Sequence, residues 1–529
     1  MQNVQVKIND QTLEVPQGTP VIEACKKLGI EVPHYCYHPA LTPVGSCRMC
    51  QVEIKDAPDR PGRVTIACRT SCTNNMVVDT RTDGVKLARA GALEFYLSNH
   101  PLDCPICDKA GECFLQDYSY KFGFGQGRFG ESRRKGVKRT PLGGHIIFDS
   151  ERCVLCTRCT RFMDEYAKAP QLAVIGRGAE ATIGIFPGRP LDSNYTGNLA
   201  DICPVGALTL EEFRFKSRVW DLKTQSSLCP LCSRGCNVLL DSKQNQLLRV
   251  RPRTNADVNG HFICNVGRFD YLPLASPRGR VTSASERGAV QDPTRTREVL
   301  ARVAASLATA TSVLVVLSAR LTNEELVLLK QVLPAAQFVL LKVDAKGGDH
   351  ILLTGDPWPN REGVRALGPA LGIEEITPRA LAAAANQTSH AVVFDGALEL
   401  PPGARQDAVT IVQDVLVHPS WLQATWVLPG TTPAEKSGTF VNVTRRLQKL
   451  NAALRPPAGI RSEFDTWVEI GRAMGIVDLA PTAAKAFAQV RSELGVAEAT
   501  TFDGMPALGV ALTSNVQPAT AGAPAERHA

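Results

Sequence analysis

The sequence predicts a multidomain chain, α+β over its first half and α/β over its second, on three observations. At 529 residues it is longer than one hydrophobic core organises. All 17 cysteines fall between Cys25 and Cys264, leaving the second half without any. From about residue 290 onward, short apolar runs alternate with Ala-rich helical stretches, the texture of α/β units.

Composition narrows the function classes. With 44% hydrophobic and 21% charged residues the chain is ordinary for a globular protein. Its charge of +7, from 59 basic and 52 acidic residues, is too mild to argue for nucleic acid or a membrane surface. Apolar runs such as Val313–Leu317 are far too short to span a bilayer. The opening Met1-Gln2-Asn3-Val4-Gln5-Val6 alternates like a strand and lacks the apolar core of a signal peptide. A cytoplasmic or equivalent reducing compartment is expected, where dense cysteines are metal ligands before they are disulfides.

The opening reads as a small β-rich unit. Val4, Val6 and Ile8 alternate, Asn9-Asp10 turns the chain, and Leu13 and Val15 begin a return strand. A helix follows with Thr19 as N-cap, Pro20 at its first position and Gly29 beyond its end. Its stripe of Val21, Ile22, Cys25 and Leu28 makes Cys25 a core residue. Residues 85–100 read as helix and 104–140 as irregular. Gly123-Phe124-Gly125-Gln126-Gly127 follows no strand and opens no periodic helix, so it reads as a loop rather than a phosphate cradle. The basic run Lys121–Arg139 either docks a partner or fills a groove. Further on, Val313–Leu317, Phe338–Val343, Ala391–Phe394 and Thr410–Val412 read as strands and Asn323–Val332 as helix. The last dozen residues read as a disordered tail, and no repeat of fixed period is present.

Four ligand sets carry the chemistry. The first is Cys36-x10-Cys47-x2-Cys50-x17-Cys68, a long ligand loop of the kind that wraps a 2Fe–2S cluster. Cys72 competes with Cys68 as last ligand, and Cys68 is preferred because it ends the strand Val64–Ala67. The second is His100-x3-Cys104-x2-Cys107-x5-Cys113, which alone suits a zinc site of three cysteines and one histidine equally well. The company of the other sets turns it toward a 4Fe–4S cluster with one imidazole ligand. The third, Cys153-x2-Cys156-x2-Cys159 with the remote Cys203-Pro204, is the bacterial ferredoxin run and the most specific of the four. The fourth is Cys229-x2-Cys232-x3-Cys236-x27-Cys264, where a tight triplet with a distant fourth suits a cubane better than a zinc ribbon. Together they use fifteen cysteines and one histidine, leaving Cys25 and Cys72.

These residues resemble the large iron–sulfur subunit of respiratory NADH:quinone oxidoreductase. The likeness rests on Pro33-His34-Tyr35-Cys36, Gly45-Ser46-Cys47-Arg48-Met49-Cys50, His100 to Gln116, Arg152 to Phe162, and Gly197 to Leu208 with its Cys-Pro-Val-Gly-Ala-Leu. It runs densely over roughly the first 275 residues. The resemblance implies a β-grasp 2Fe–2S ferredoxin domain over 1–95, then a 4Fe–4S segment with one histidine and three cysteine ligands over 96–145. A 4Fe–4S ferredoxin-like domain over 146–217 and a 4Fe–4S domain of the molybdenum/tungsten-enzyme type over 218–275 would follow. It further implies one 2Fe–2S and three 4Fe–4S clusters. The first, third and second sets would form the main wire in that order, with the fourth off the path. Expected partners are a flavin- and NADH-binding subunit, a two-cluster ferredoxin-like subunit and, indirectly, the membrane arm, on the cytoplasmic face of the bacterial inner membrane.

The second half, 276–515, resembles a degenerate molybdopterin-oxidoreductase domain through Pro359-Asn360, Gly363 and Glu435-Lys436-Ser437-Gly438-Thr439-Phe440-Val441-Asn442. That family's Glu-Gly-Arg is replaced by Thr444-Arg445-Arg446, and no cysteine remains to bind molybdenum. The domain is expected to be scaffold, with neither molybdenum nor flavin on the chain, and 516–529 to be a tail.

Other functions weigh less. A formate dehydrogenase catalytic subunit or an iron-only hydrogenase needs further ligands downstream, and no cysteine is there to supply them. The alternative is an iron–sulfur subunit of a soluble NAD-linked hydrogenase or formate dehydrogenase complex. A zinc-stapled interaction protein would be colourless, whereas an iron–sulfur chain is brown. The nine histidines form no catalytic constellation, and His34 and His38 are expected to shape the loop around Cys36.

Overall fold

The computed structural model describes residues 2–57, 59–394, 408–416 and 424–512. The expected tail, 516–529, lies outside the described residues. The chain divides into two compact units, Met1–Leu222 and Lys223–Ala529.

The first unit opens with β1 (Asn3–Ile8) and β2 (Gln11–Pro16), antiparallel with Val6 opposite Leu13. Asn9, at φ 51°, takes the left-handed turn position that asparagine tolerates. Then come α1 (Val21–Lys27), β3 (Gln51–Lys55), β4 (Arg63–Ile66) and β5 (Met76–Asp79). The sheet order is β2-β1-β5-β3-β4, with β1 and β5 parallel, and α1 buries Val21, Ile22 and Cys25 in the same core as Val6, Ile8 and Val52. This is the expected β-grasp unit.

Thr19 does not cap α1. Pro20 holds the N-cap position and bridges to Ser71, while the Thr19 hydroxyl donates to the Pro16 carbonyl, 2.7 Å away. Strand pairing at residue 20 outweighs the local cap.

Helix α2 (Asp83–Asn99) is capped by Thr82 and ties back to the sheet through Arg89, which donates twice to the Gln51 carbonyl. The region 104–140 is not wholly irregular, because α3 (Phe114–Phe122) lies within it. Its aromatics recur every four residues, and Tyr118 packs 5.6 Å from Tyr35. Residues 123–127 are a loop, as expected. The basic run folds back onto acids of its own unit, Lys121 on Glu31, Arg128 on Glu94 and Lys138 on Asp103 and Glu151. Strands β6 (Thr140–Pro141) and β7 (Ile146–Phe148), helix α4 (Arg158–Arg161), the hairpin β8 (Leu172–Ile175) and β9 (Thr182–Ile185), α5 (Asn198–Ile202) and β10 (Leu208–Leu210) complete the unit.

The second unit begins with an antiparallel meander of β11 (Lys223–Leu228), β12 (Asn237–Lys243) and β13 (Gln246–Pro252), followed by α6 (Tyr271–Ala275). This segment packs as one body with the later residues. Ser227 donates to the Asn451 carbonyl at 2.9 Å, and Asn442 to the Arg234 carbonyl at 3.1 Å.

The main sheet is built from β14 (Ser285–Glu286), β15 (Ala289–Val290), β16 (Val313–Leu317), β17 (Gln337–Leu341), β18 (Ile373–Ile376), β19 (His390–Phe394), β20 (Val409–Asp414) and β21 (Trp426–Pro429). Its order is β15-β14-β21-β20-β19-β16-β17-β18, parallel from β21 to β18. Parallel strands need crossovers. Among the described residues, helices α7 (Thr296–Ala308), α8 (Asn323–Val332), α9 (Arg361–Leu371) and α10 (Pro378–Ala385) lie between the strands. The strands β22 (Gly438–Val441), β23 (Arg446–Leu450) and β24 (Val510–Ala511) with α11 (Glu463–Ala473) and α12 (Ala483–Glu493) close the unit.

Under this sheet the signature segment around Glu435 supplies buried charge. Lys436 pairs with Glu325 at 3.1 Å and Glu463 at 3.3 Å, and Arg280 with Glu435 at 2.6 Å. Among the described residues no helix is long and apolar enough to cross a membrane.

Candidate iron–sulfur centres

The first set grows from the long loop between α1 and β3 and the turn after β4. The Cys36 thiol lies within hydrogen-bonding reach of Cys47 and Cys68, and Cys50 within reach of Cys68. All four are buried. Donations from Cys47 and Cys68 hold Cys36 well below the ordinary thiol range, and the donors are pushed up in turn. Backbone N–H groups face the sulfurs, among them Tyr35 N to Cys47 Sγ at 3.4 Å. Gly45 is required here: its φ is +70°, and a Cβ would meet Ile66 at 2.7 Å. His34 and His38 are tied into the loop through Val32 and Ala40. Cys72 is buried in the same core as Cys50, Cys68 and Cys25, and burial pushes the Cys25 thiol up to about 12.

The second set brackets α3. His100 ends α2, Cys104 opens a short turn, and Cys113 immediately precedes α3. Burial first, then Arg152, pushes His100 down to about 4, so its imidazole is neutral with a free lone pair. His100, Cys104 and Cys113 share the wall of a cavity of about 540 Å³, closed on one side by the loop from Gly123 to Phe129. Cys107 lies near both Cys104 and Cys113.

The third set coils around a small cavity. Leu155 at φ 48° and Thr157 at φ 57° reverse the chain so that Cys153, Cys156 and Cys159 turn inward, and Cys203 closes the ring from the end of α5. Apolar side chains, Phe148, Ile183, Val205 and Leu208 among them, line the rest. Burial pushes Cys153 up to about 12 and Cys156 to about 11. In the second unit, Cys229, Cys232, Cys236 and Cys264 face one another between β11, β12 and α6. Cys229 N donates to Cys236 O at 2.8 Å, and Gly267 N donates to Cys264 Sγ at 3.3 Å.

Buried thiols this crowded cannot all ionise without a compensating cation, and the donors are those iron–sulfur clusters take. Among the described residues no three His, Cys, Asp or Glu side chains converge tightly enough for a single metal ion.

The three sets of the first unit meet one another. Phe114 N, next to Cys113, donates to Pro204 O, next to Cys203, at 3.0 Å. Arg152 donates to Asp103, and Arg218 to Cys107 O at 2.8 Å. Arg161 reaches the carbonyls of both Cys36 and Cys156. Of these arginines only Arg161 falls within the Arg-Cys-Thr-Arg of the triplet, and the cysteine spacings give no sign of the contacts any of them makes.

Models of known families match the chain in successive segments. A 2Fe–2S iron–sulfur cluster binding domain matches residues 1–83, and the NADH-ubiquinone oxidoreductase-G iron–sulfur binding region matches 89–128. The ferredoxin-like domain of NADH-quinone oxidoreductase subunit 3 matches 143–209, the molybdopterin oxidoreductase Fe4S4 domain 222–272 and the molybdopterin oxidoreductase family 395–473. The G subunit of the NADH-quinone oxidoreductase of Rickettsia bellii is 39% identical over 53% of this chain and 42% of its own length. Its counterpart in Streptomyces coelicolor is 41% identical over 54% of this chain and 34% of its own. The NADH-ubiquinone oxidoreductase 75 kDa subunit of Reclinomonas americana is 40% identical over 52% and 39%. A chain of an NAD+-reducing NiFe hydrogenase, solved in the H2-reduced state, is 27% identical at a TM-score of 0.36, over 41% of this chain and 91% of its own. The match thus spans less than half the length of each of the three oxidoreductase relatives. In fold and in sequence, the cysteine-bearing half of this chain is thus similar to the large iron–sulfur subunits of NADH:quinone oxidoreductase.

Proposed function

We propose that this chain relays electrons within NADH:quinone oxidoreductase, from the flavin of a partner subunit through its own iron–sulfur clusters toward quinone. Cys36, Cys47, Cys50 and Cys68 hold a 2Fe–2S cluster. Three 4Fe–4S clusters are held by His100 with Cys104, Cys107 and Cys113, by Cys153, Cys156, Cys159 and Cys203, and by Cys229, Cys232, Cys236 and Cys264. Each cluster, when bound, takes up and gives back a single electron. The chain's own residues do the rest: apolar walls exclude water, backbone N–H groups point at sulfur, and buried arginines set the local field.

The observation that carries the reading is the contact between sets. The first touches the third through Arg161, and the third touches the second through Pro204 and Phe114. The first set also meets the second, where Tyr35 packs on Tyr118, so these contacts join all three sets and the order first, third, second rests on the family resemblance; the fourth set belongs to the other compact unit. The flavin-bearing and two-cluster ferredoxin-like partners, and a place on the cytoplasmic face of the inner membrane, belong to this reading.

Anaerobic purification of the native assembly tests it. The expected chain is brown, carries about 14 iron atoms and co-purifies with a flavoprotein that reduces quinone from NADH. Stoichiometric zinc with little iron would overturn the proposal, and hydrogen oxidation in place of quinone reduction would move the chain to a hydrogenase.

A further inference from the structure

Arg158 and Arg161 both lie on α4, beside ligands of the third set. Arg158 is only 4% exposed. Its Nη1 donates to Ile202 O at 3.1 Å, its Nη2 donates to Tyr37 O, and its guanidinium lies 5.5 Å from the centre of the Phe114 ring. Those three residues are the sequence neighbours of Cys203, Cys36 and Cys113. A single buried cation therefore touches the backbone of the first and third sets and stacks on the second. The acidic groups facing it are the thiols of Cys156, Cys203 and Cys47 and the phenol of Tyr118. Arg161, half-buried, donates through Nη2 to the carbonyls of Cys36 and Cys156, through Nη1 to Thr42 O at 2.7 Å, and through Nε to Thr157 Oγ1.

A buried guanidinium surrounded by carbonyls and thiols needs negative charge to be stable. Thiolate-ligated clusters at the first and third sets, on the function proposed for the chain, supply it. We infer that Arg158 and Arg161 are positioning residues for electron transfer, a shared pair of positive charges that fixes the first ligand set against the third and raises the reduction potentials of both clusters. The sign follows from charge alone. Adding an electron makes a cluster more negative, and a fixed cation in a low-dielectric interior favours that state. Because the same two side chains serve both clusters, the potentials move together and the step between them stays nearly level.

The test is a redox titration read by electron paramagnetic resonance on the full chain in its purified assembly, comparing parent, Arg161→Gln, Arg158→Gln and Arg158→Lys. Iron per chain is measured first. Each Gln variant is expected to keep its iron while the reduced-to-oxidised ratio at a fixed potential falls about tenfold for both clusters, a shift of about 59 mV for a one-electron couple. The fourth-set signal stays where it was. Arg158→Lys, which keeps the charge, restores both potentials. Full iron with unmoved potentials in both Gln variants overturns the inference, as does a Lys variant that shifts as far as Gln. Should Arg158→Gln shed its iron, Arg161→Gln and Arg158→Lys decide by the same criteria. A parent lacking first- and third-set signals refutes the cluster reading itself.

Discussion

Gly206 lies directly against Cys107: a Cβ at Gly206 would overlap the Cys107 sulfur and stand 3.2 Å from Lys109 Cβ. The Cys-Pro loop of the third set is thus the floor under a ligand of the second. No side chain fits there without displacing the Cys107 sulfur, which the proposed function makes a cluster ligand. Gly206→Ala is expected to unseat the second-set cluster and leave the other three, so that iron falls from about 14 to about 10 per chain. Iron analysis with paramagnetic resonance of each cluster checks it, and a variant with its full iron and an unchanged second-set signal would contradict the packing argument.

That relationship also marks where sequence reading stops. Local pattern sufficed for the β1–β2 hairpin and for α8, whose bounds match the expectation and whose Thr322 and Glu325 form a reciprocal capping box. It failed at Thr19, where pairing of Pro20 with Ser71 decided the backbone. It missed α3, whose buried face forms only in tertiary packing, with Tyr118 against Tyr35 far earlier in the chain and Leu115 beside Leu93 of α2. The cysteine triplets were legible because their members stand close together in sequence. Arg158 and Arg161 were not, since their carbonyl acceptors at Tyr37 and Cys36 lie 121 and 125 residues away. Gly206 belongs with them: a glycine in a Cys-Pro-Val-Gly turn says nothing of the sulfur it touches.

Glu324 gives the second unit a pH dependence. It is fully buried beneath Gly438 and accepts from Thr439 N and Oγ1, each at 2.7 Å, yet burial outweighs these bonds and raises its carboxyl to about 7. The folded chain therefore keeps a proton that the unfolded chain releases near pH 4.5. Stability contributed at low pH is lost as pH rises from about 4.5 through 7, by roughly 3 kcal/mol in all. Glu324→Gln should flatten that slope, and unfolding midpoints measured from about pH 4.5 to 8 check it. A variant keeping the parent's slope would place the titration elsewhere.

Cys264 closes the fourth set from outside its triplet, and Gly267 packs beneath, where a Cβ would lie 3.1 Å from the Cys229 sulfur. Cys264→Ala should cost this cluster and part of the stability of the second unit, because cluster binding is coupled to folding of the loop. Quinone reduction in the assembled complex should continue. Loss of that activity with the other clusters intact would put the fourth cluster on the path.

In the proposed relay the second set stands last, so the charge of its imidazole matters to electron exit. Burial, reinforced by Arg152, holds His100 neutral to about pH 4, so it would ligate iron as an uncharged donor. A thiolate in its place adds one negative charge to the ligands, and that charge opposes uptake of an electron. Histidine-for-cysteine replacement at binuclear centres raises potential by hundreds of millivolts. One replacement on a larger cluster should act in the same direction and less strongly. His100→Cys is therefore expected to lower the second-set potential and make that cluster a poorer acceptor from the third. Cysteine reaches less far than histidine, so iron content comes before any titration. An intact cluster whose potential is unchanged or higher would defeat the charge argument. A parent spectrum without nitrogen coupling would go further and remove His100 from the ligand set.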